Sequence, residues 1–201
     1  MAQGTSGKEA ATSTLWDRTR QLAAQEILQT ALRLFTQQGY DETTIAQIAR
    51  EAGVSQRTLF RYFGTKEDLI GGSEEQFVTL VTETVRNQPA DAGAWEVLRA
   101  AFEAALSLHT SREEALERFR LVHDTDSLRA TYLRKRARCQ EELLPLLEPR
   151  LTPPGTDRGQ ARAIVATAFA CFDAATATWL EGKGQGDILD LYDQGLAAVR
   201  G

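Results

Sequence analysis

The residues with the clearest chemical pattern lie in one short segment, 55–63, whose sequence is SQRTLFRYF. If this segment is a helix with about 100° per residue, Leu59 and Phe63 mark a buried face. Arg57 and Arg61 then fall on the opposite side of the helix. Because arginine can pair bidentately with the O6 and N7 atoms of guanine and can also bind phosphate, the pattern indicates a surface that reads nucleic acid.

The flanking residues of this segment add further hydrogen-bonding and contact groups. Gln56 and Phe60 lie beside the arginines on one side, and Thr58 and Tyr62 lie on the other. Glutamine can pair with adenine, threonine and phenylalanine can contact a thymine methyl group, and tyrosine can donate to a phosphate. Lys66 is predicted in the first turn of the next helix, where it can bind phosphate together with free backbone N–H groups. An ordinary charged surface helix is the alternative interpretation.

A turn and a preceding short helix are predicted to position this segment. Residues 43–69 read TTIAQIAREAGVSQRTLFRYFGTKEDL. Thr43 is the expected N-cap of a helix over 44–52, and Ser55 is the expected N-cap of the helix after it. Gly53 between them can adopt the positive φ of a tight turn. This layout is typical of a helix-turn-helix, whose second helix enters the DNA major groove.

Helical periodicity continues along most of the chain, and alternating β-branched runs are absent. We therefore predict an all-α fold of about nine helices, with an N-terminal helix-turn-helix domain of three helices and a larger C-terminal helical bundle. Residues 1–17 are expected to be a disordered tail, since they begin with a stretch rich in small and polar residues. The predicted helices cover 18–38, 44–52, 55–63, 65–87, 92–108, 111–122, 127–147, 157–181 and 187–200.

Composition and charge narrow the class of protein. The chain has 201 residues, of which 42% are hydrophobic and 25% charged, and a net charge of −5. Cations and anions balance over 15–70, so the acidic excess lies on 71–201; a histone-like polycation is disfavoured. Because long apolar runs and a secretory signal are absent, no membrane contact is expected. Cys139 and Cys171 indicate a reduced, cytoplasmic protein.

The sequence offers no recognisable catalytic arrangement. His109 and His123 are its two histidines, and no glycine-rich phosphate loop or Cys–His pairing at useful spacing accompanies them. His123 beside Asp124 and Asp126 is more typical of a solvated helix junction than of a metal site. We therefore expect no enzyme activity, no catalytic residue, no metal and no cofactor.

The segment 25–70 resembles the TetR family of bacterial transcriptional regulators. The resemblance implies an all-α homodimer in which 18–67 bind DNA and 68–201 bind a small molecule and dimerise. Most members are repressors that lose DNA affinity when a small molecule binds. The family usually has tyrosine where this chain has Phe60, which removes one phosphate donor. The motifs that carry the resemblance are Phe35, Gly39, Tyr40, Thr43-Thr44-Ile45, Ile48-Ala49, Ala52-Gly53-Val54-Ser55, Thr58-Leu59-Phe60, Tyr62-Phe63 and Lys66-Glu67-Asp68-Leu69.

The same resemblance implies which residues contact the operator DNA and where an effector binds. The implied DNA contacts are Thr44, Gln56, Arg57, Thr58, Phe60, Arg61, Tyr62 and Lys66; Arg18 and Arg20 could follow a phosphate or the minor groove. A pocket is expected between the middle helices, although aromatic residues at helical spacing are also typical of a plain core. The candidate lining residues are Phe77, Trp95, Phe102, Phe119, His123, Tyr132, Phe169, Phe172 and Trp179.

The last two long helices are the predicted dimer surface, since a monomer cannot bind both half-sites of a DNA operator. The alternative is that the same apolar stripes close the core of one chain. The residues concerned are Ile164, Ala168, Phe172, Ala175, Ile188, Leu191, Tyr192 and Leu196. Residues 118–179 loosely resemble the C-terminal domains of actinobacterial TetR members, some of which respond to acyl-thioesters. A helical ligand carrier or scaffold with a degenerate DNA module is the alternative function.

Overall fold

The computed structural model describes residues 15–151 and 158–201, and every regular element in this part of the chain is helical. The prediction of an all-α fold is confirmed. A 3₁₀ turn, Glu148–Arg150, follows the eighth helix. The helices are α1 (Leu15–Gln38), α2 (Ile45–Glu51), α3 (Gln56–Phe63), α4 (Lys66–Gly71), α5 (Glu74–Arg86), α6 (Ala94–Leu106), α7 (Arg112–Asp124), α8 (Asp126–Leu147), α9 (Arg158–Glu181) and α10 (Ile188–Arg200).

The described residues contain one helix more than the predicted nine because the predicted helix 65–87 is two helices. Gly72 ends α4 with φ 68°, which lies in the left-handed region that favours glycine. Ser73 then begins α5, and its side chain accepts a hydrogen bond from the Gln76 backbone N–H at 3.2 Å. A short α4 is therefore separated from the long helix that follows it.

Two helix starts also differ from the sequence prediction. The first helix begins at Leu15, within the predicted tail 1–17, and residues 1–14 of that tail lie outside the described residues. The N-cap of α2 is Thr44 rather than Thr43, because Thr43 is buried and its hydroxyl donates to the Gly39 carbonyl at 2.7 Å. Thr44 is free to accept from the Gln47 backbone N–H at 3.2 Å.

Contacts divide the chain into two compact units, Met1–Tyr62 and Phe63–Gly201. The core of the first unit is built by apolar residues of α1, α2 and α3. The rings of Phe35 and Tyr40, at the end of α1 and just after it, lie 4.9 Å apart. The buried residues of this unit include Ile27, Ala31, Leu32, Leu34, Phe35, Tyr40, Ile48, Ala49 and Leu59.

The second unit has a larger apolar core, to which α5, α6, α8, α9 and α10 contribute. Phe102 of α6 lies at its centre and is in contact with three aromatic rings. Its ring centroid is 4.5 Å from Phe172, 5.1 Å from Phe169 and 5.3 Å from Tyr192. Because α9 and α10 supply all three partners, the last two helices are part of this unit's own core.

Candidate nucleic-acid interface and ligand cavity

A tight turn between α2 and α3 sets the direction of the candidate recognition helix α3. Gly53 has φ 66°, and the Val54 backbone N–H donates to the Ala49 carbonyl at 2.9 Å. Ser55 then caps α3, since its side-chain oxygen accepts from the Thr58 backbone N–H at 3.1 Å. The predicted helix-turn-helix geometry is thus present, and local hydrogen bonds hold it.

The two arginines of α3 lie opposite its buried side. Leu59 is 0% exposed, whereas Arg57 and Arg61 are both exposed. Within the described residues neither arginine forms an ion pair with a carboxylate. By contrast, Arg33 and Arg50 in the same unit lie 3.7 Å and 3.8 Å from the carboxylate of Glu51. The guanidinium groups of α3 are therefore available to an external anion or base.

Tyr62 lies between two cations within the first unit. The guanidinium carbons of Arg20 on α1 and Arg61 on α3 are each 5.8 Å from the centroid of its ring. This separation suits a cation–π contact. Tyr62 is half-buried. Phe63 is also half-buried, whereas its position on the apolar side of α3 predicted full burial. Arg20 of α1 and Arg61 of α3 therefore both lie next to the ring of Tyr62.

The other predicted contact residues of α3 differ in exposure. Gln56 is exposed, and Phe60 is 47% exposed although it is a large apolar side chain. Thr58 is half-buried, and its hydroxyl lies 2.9 Å from the Ser55 hydroxyl. The exposed apolar ring of Phe60 beside two cations is consistent with a contact surface for a base methyl group.

Thr44 and Lys66 lie at helix starts outside α3. Thr44 is exposed, and its backbone N–H donates to Gln47 Oε1 at 2.7 Å, so that the pair forms a capping box. Lys66 is half-buried and is the first residue of α4. The preceding residue, Thr65, is the N-cap of α4, and its side chain accepts a hydrogen bond from the Asp68 backbone N–H at 3.1 Å. Lys66 belongs to the second unit by its contacts, whereas Thr44 belongs to the first.

A cavity of about 440 Å³ lies within the second unit. This volume is in the range of small-molecule sites. Its wall is mainly apolar, with side chains from α4 to α9. Seven of the predicted candidates line it: Phe77, Phe102, Phe119, His123, Tyr132, Phe169 and Phe172.

Two predicted candidates lie outside the lining of this cavity. Trp95 lies at the start of α6, where the Arg200 guanidinium carbon is 5.5 Å from its ring centroid. Trp179 is buried behind the wall, with its ring edge-on to Phe119 at 6.1 Å. Trp95 is thus in contact with α10, and Trp179 with α7. They support the wall or the core rather than line the cavity.

The cavity wall also contains polar residues that were not predicted to line it, among them His109, Arg118 and Asp173. Arg118 Nη1 lies 3.1 Å from Glu114 Oε1, and its Nε donates to the Ile70 carbonyl at 2.7 Å. Burial lowers the pKa of Arg118, whereas the bond to Glu114 opposes that shift. A Glu-x-x-x-Arg spacing on α7 was the only sequence signal for this pair.

Asp173 of α9 binds two side chains of α8. The Tyr132 hydroxyl donates to Asp173 Oδ1, and Arg136 donates to Asp173 Oδ2. The Arg136 guanidinium carbon also lies 5.8 Å from the Phe169 ring centroid. Burial raises the pKa of Tyr132 above its ordinary value, and the nearby carboxylate acts in the same direction. The phenol therefore stays protonated and remains the donor in this bond.

The predicted dimer residues are mostly buried within one chain. Tyr192 is fully buried against Phe102, whereas Ile164 and Leu191 are half-buried. The structure therefore places these stripes mainly in the core of the second unit, and their role in dimerisation stays a prediction. The predicted dimer residues that are buried are Ala168, Phe172, Ala175, Ile188, Tyr192 and Leu196.

No group of three histidine, cysteine or acidic side chains that could hold a metal occurs in 15–151 or 158–201. The two cysteine thiols are buried, and burial raises the pKa of Cys139 to about 12, so this thiol is protonated and unreactive. Of the described helices, α9 alone is long and apolar enough to cross a membrane, with a mean hydropathy of 1.5. A core helix meets the same criterion, and α9 contributes Phe169, Phe172 and Trp179 to the core.

Comparison with known proteins agrees with this geometry. Residues 27–71 match the family model described as bacterial regulatory proteins, tetR family. The chain is 30% identical over 167 residues to the HTH-type transcriptional regulator TcmR of Streptomyces glaucescens. This aligned region covers 77% of this chain and 71% of TcmR. The chain therefore belongs to the TetR family of transcriptional regulators, which are not enzymes.

Solved structures of the same fold include two regulators with a bound fatty acyl-CoA. FadR of Thermus thermophilus, in complex with lauroyl-CoA, is 24% identical with a TM-score of 0.51, and the match covers 87% of this chain and 91% of that one. FadR of Bacillus subtilis, in complex with stearoyl-CoA, is 23% identical with a TM-score of 0.53, covering 86% and 95%. These similarities establish the shared fold.

Proposed function

We propose that this protein is a cytoplasmic, ligand-responsive repressor that binds a palindromic DNA operator as a homodimer. One observation carries the proposal: Arg57 and Arg61 extend from α3 opposite the buried Leu59 and form no ion pair within the described residues. Exposed, unpaired arginines on the second helix of a helix-turn-helix are suited to guanine and phosphate contacts.

The proposed DNA-binding domain covers 18–67, and the proposed ligand-binding and dimerisation domain covers 68–201. In the first, Arg57, Arg61 and Gln56 read base edges, and Phe60 and Thr58 contact thymine methyl groups. The remaining residues bind phosphates and fix the position of α3 in the groove. These phosphate-binding residues are Thr44, Tyr62 and Lys66.

The dimer is proposed to form through the outward faces of α9 and α10. The outward face of α9 carries small residues, and α10 carries Val199, which is 64% exposed. Only 39% of the most apolar window of α9 is buried within the chain, so a partner helix would cover the remainder. Small side chains allow helices to approach closely. The exposed alanines of α9 outside the cavity lining are Ala163, Ala166 and Ala170.

A hydrophobic small molecule in the cavity of the second unit is proposed to release the operator. The cavity has drug-sized volume and an aromatic wall, and two solved relatives of the same fold hold fatty acyl-CoA molecules. A ligand shifts the regulator away from DNA only if it binds the released state more tightly than the DNA-bound state.

Selection of genomic DNA fragments by the purified protein, followed by footprinting, tests the proposal. The expected footprint is a palindrome whose half-sites are about 34–36 Å apart or adapt to that spacing, and it weakens as salt is raised. A protein that enriches no sequence but still binds hydrophobic molecules in its cavity would instead be a helical ligand carrier or scaffold.

A further inference from the structure

Two charged residues that line the cavity are paired within the protein. Arg118 forms an ion pair with Glu114, and their side chains are 12% and 3% exposed. Asp173 accepts hydrogen bonds from Arg136 and from Tyr132. Because both charges already have partners, neither is available to a charged group of a ligand.

Arg129 differs from these two residues because its charge has no partner. It lines the cavity, it is exposed, and it forms no ion pair within the described residues. Tyr132 and Leu133, three and four residues later, also line the cavity. Since residues at this spacing share one side of a helix, Arg129 lies on the side of α8 that borders the cavity.

The unpaired arginine lies where the cavity meets solvent. Leu108 and Leu133 line the cavity and are 54% and 48% exposed, so they mark its opening. Arg129 is one helical turn from Leu133. The cavity wall also contains the half-buried rings of Phe77 and Phe119, which offer apolar surface. The cavity therefore combines an aromatic wall with one uncompensated positive charge at its opening.

From this arrangement we infer that the cavity takes an amphipathic anion. Its apolar body contacts Phe77 and Phe119, and its single negatively charged group, such as a carboxylate, pairs with Arg129 at the opening. Arginine binds carboxylates bidentately, and a group at the opening keeps part of its hydration. A charge carried farther in would lose that hydration without gaining an unpaired counterion. This inference deepens the proposed function and rests on its ligand-binding step.

Three pyrene probes of matched shape test the inference by fluorescence titration of the full chain. They are the anion pyrenebutyrate, the neutral pyrenebutanol and the cation pyrenebutylammonium, in which a flexible chain separates the polar group from the rings. Pyrenebutyrate is expected to bind about fivefold more tightly than pyrenebutanol, and the cation more weakly than either. Raising the salt concentration from about 0.1 M to about 1 M should reduce the preference for the anion, because it screens an exposed pair.

Two arginine substitutions assign the preference to one side chain. Arg129→Gln is expected to weaken binding of pyrenebutyrate about fivefold and to leave pyrenebutanol within about twofold. Arg120→Gln is the matched control, since Arg120 is also exposed and forms no ion pair in the described part of the chain, but does not line the cavity. It removes the same charge and should leave both affinities within about twofold.

A third substitution tests whether the apolar body enters the cavity. Ala105 of α6 lines the cavity and is half-buried, so Ala105→Phe places a ring in the space that the pyrene would occupy. All three probes should then bind at least about fivefold more weakly. Circular dichroism of each variant checks that its helices are retained.

The inference is overturned if pyrenebutyrate does not bind, if pyrenebutanol binds as tightly, if Arg120→Gln has the effect of Arg129→Gln, or if Ala105→Phe leaves binding unchanged. Operator affinity is measured separately without probes. A chain that prefers the anion through Arg129 but enriches no DNA contradicts the proposed function and leaves this inference standing. A chain that binds an operator but shows no such preference contradicts the inference alone.

Discussion

Lys135 Nζ lies 3.8 Å from Asp68 Oδ1, and the same ammonium group donates to the backbone carbonyl of Gly72. Lys135 is buried, and burial lowers its pKa although Asp68 acts in the opposite direction. Arg118 of α7 similarly donates to the Ile70 carbonyl. Two cations from α7 and α8 therefore bind the C-terminal end of α4, where the carbonyl groups and the helix dipole favour positive charge.

Loss of the Lys135 contact should destabilise the second unit. Lys135→Met leaves Asp68 and the Gly72 carbonyl without this partner, so we expect the free energy of unfolding to fall by about 1–3 kcal/mol. Urea unfolding followed by circular dichroism measures this change. Arg134→Met, at the preceding and exposed position of α8, should change it by less than about 0.5 kcal/mol. Equal effects of the two substitutions would contradict the assigned contact.

The lowered pKa of His109 makes stability depend on pH. Its pKa is about 4 in the folded chain against an ordinary 6.5, chiefly because of burial. Between these values the unfolded state binds more protons, so folding stability rises as pH increases from 4 to 6.5. His109→Leu should remove on the order of 2 kcal/mol of that rise.

Urea unfolding at pH 4.5 and pH 7.0 measures this difference. Carboxylates titrate in the wild type and in the variant alike, so the gap between their pH profiles isolates the histidine. Parallel profiles would show that His109 is protonated in the folded state as easily as in the unfolded one.

Leu59 should hold α3 on the first unit through its buried side chain. It is 0% exposed, so Leu59→Ala should cost about 2–5 kcal/mol of stability and weaken operator binding by loosening α3. Leu22→Ala on α1 is the control, because Leu22 is 66% exposed. Thermal unfolding of both variants provides the comparison, and similar midpoints would contradict the buried role of Leu59.

The proposed dimer depends on the outward face of α9. Ala170→Glu places a carboxylate on that exposed face, so we expect the dissociation constant of the dimer to rise at least about tenfold. Light scattering after size-exclusion chromatography measures the mass. Ala137→Glu, at an exposed position of α8, should leave the mass unchanged. If the wild type is a monomer, or if Ala170→Glu remains fully dimeric, this face is not the interface.

Local patterns predicted the helix-turn-helix well because its determinants are close in sequence. The periodicity of Leu59, Arg57 and Arg61 and the cap at Ser55 depend on neighbouring residues alone. The tertiary role of α10 was harder to predict, since an apolar stripe does not reveal what covers it. Tyr192 was predicted at the dimer surface, but its partner Phe102 lies on α6, far away in sequence.

The cavity shows the same limit of sequence reasoning. Phenylalanine spacing identified most of its aromatic lining, but Trp95 and Trp179 have the same character and pack elsewhere. His109 gave no distinctive signal in the sequence, because its position in the cavity wall depends on the packing of several helices. Ion pairs between helices, such as that of Arg136 on α8 with Asp173 on α9, likewise depend on how the helices pack.

Fluorescence anisotropy on the selected operator tests the central claim most directly, by comparing the wild type with Arg57→Ala, Arg61→Ala and the control Arg33→Ala. Arg33 belongs to the same unit but lies 3.7 Å from Glu51. The account predicts that each α3 substitution weakens binding by about 1–3 kcal/mol, or about 5- to 150-fold, and relaxes base preference, whereas Arg33→Ala changes binding little. Unchanged operator affinity in both α3 variants, or an equal loss in Arg33→Ala, would contradict it.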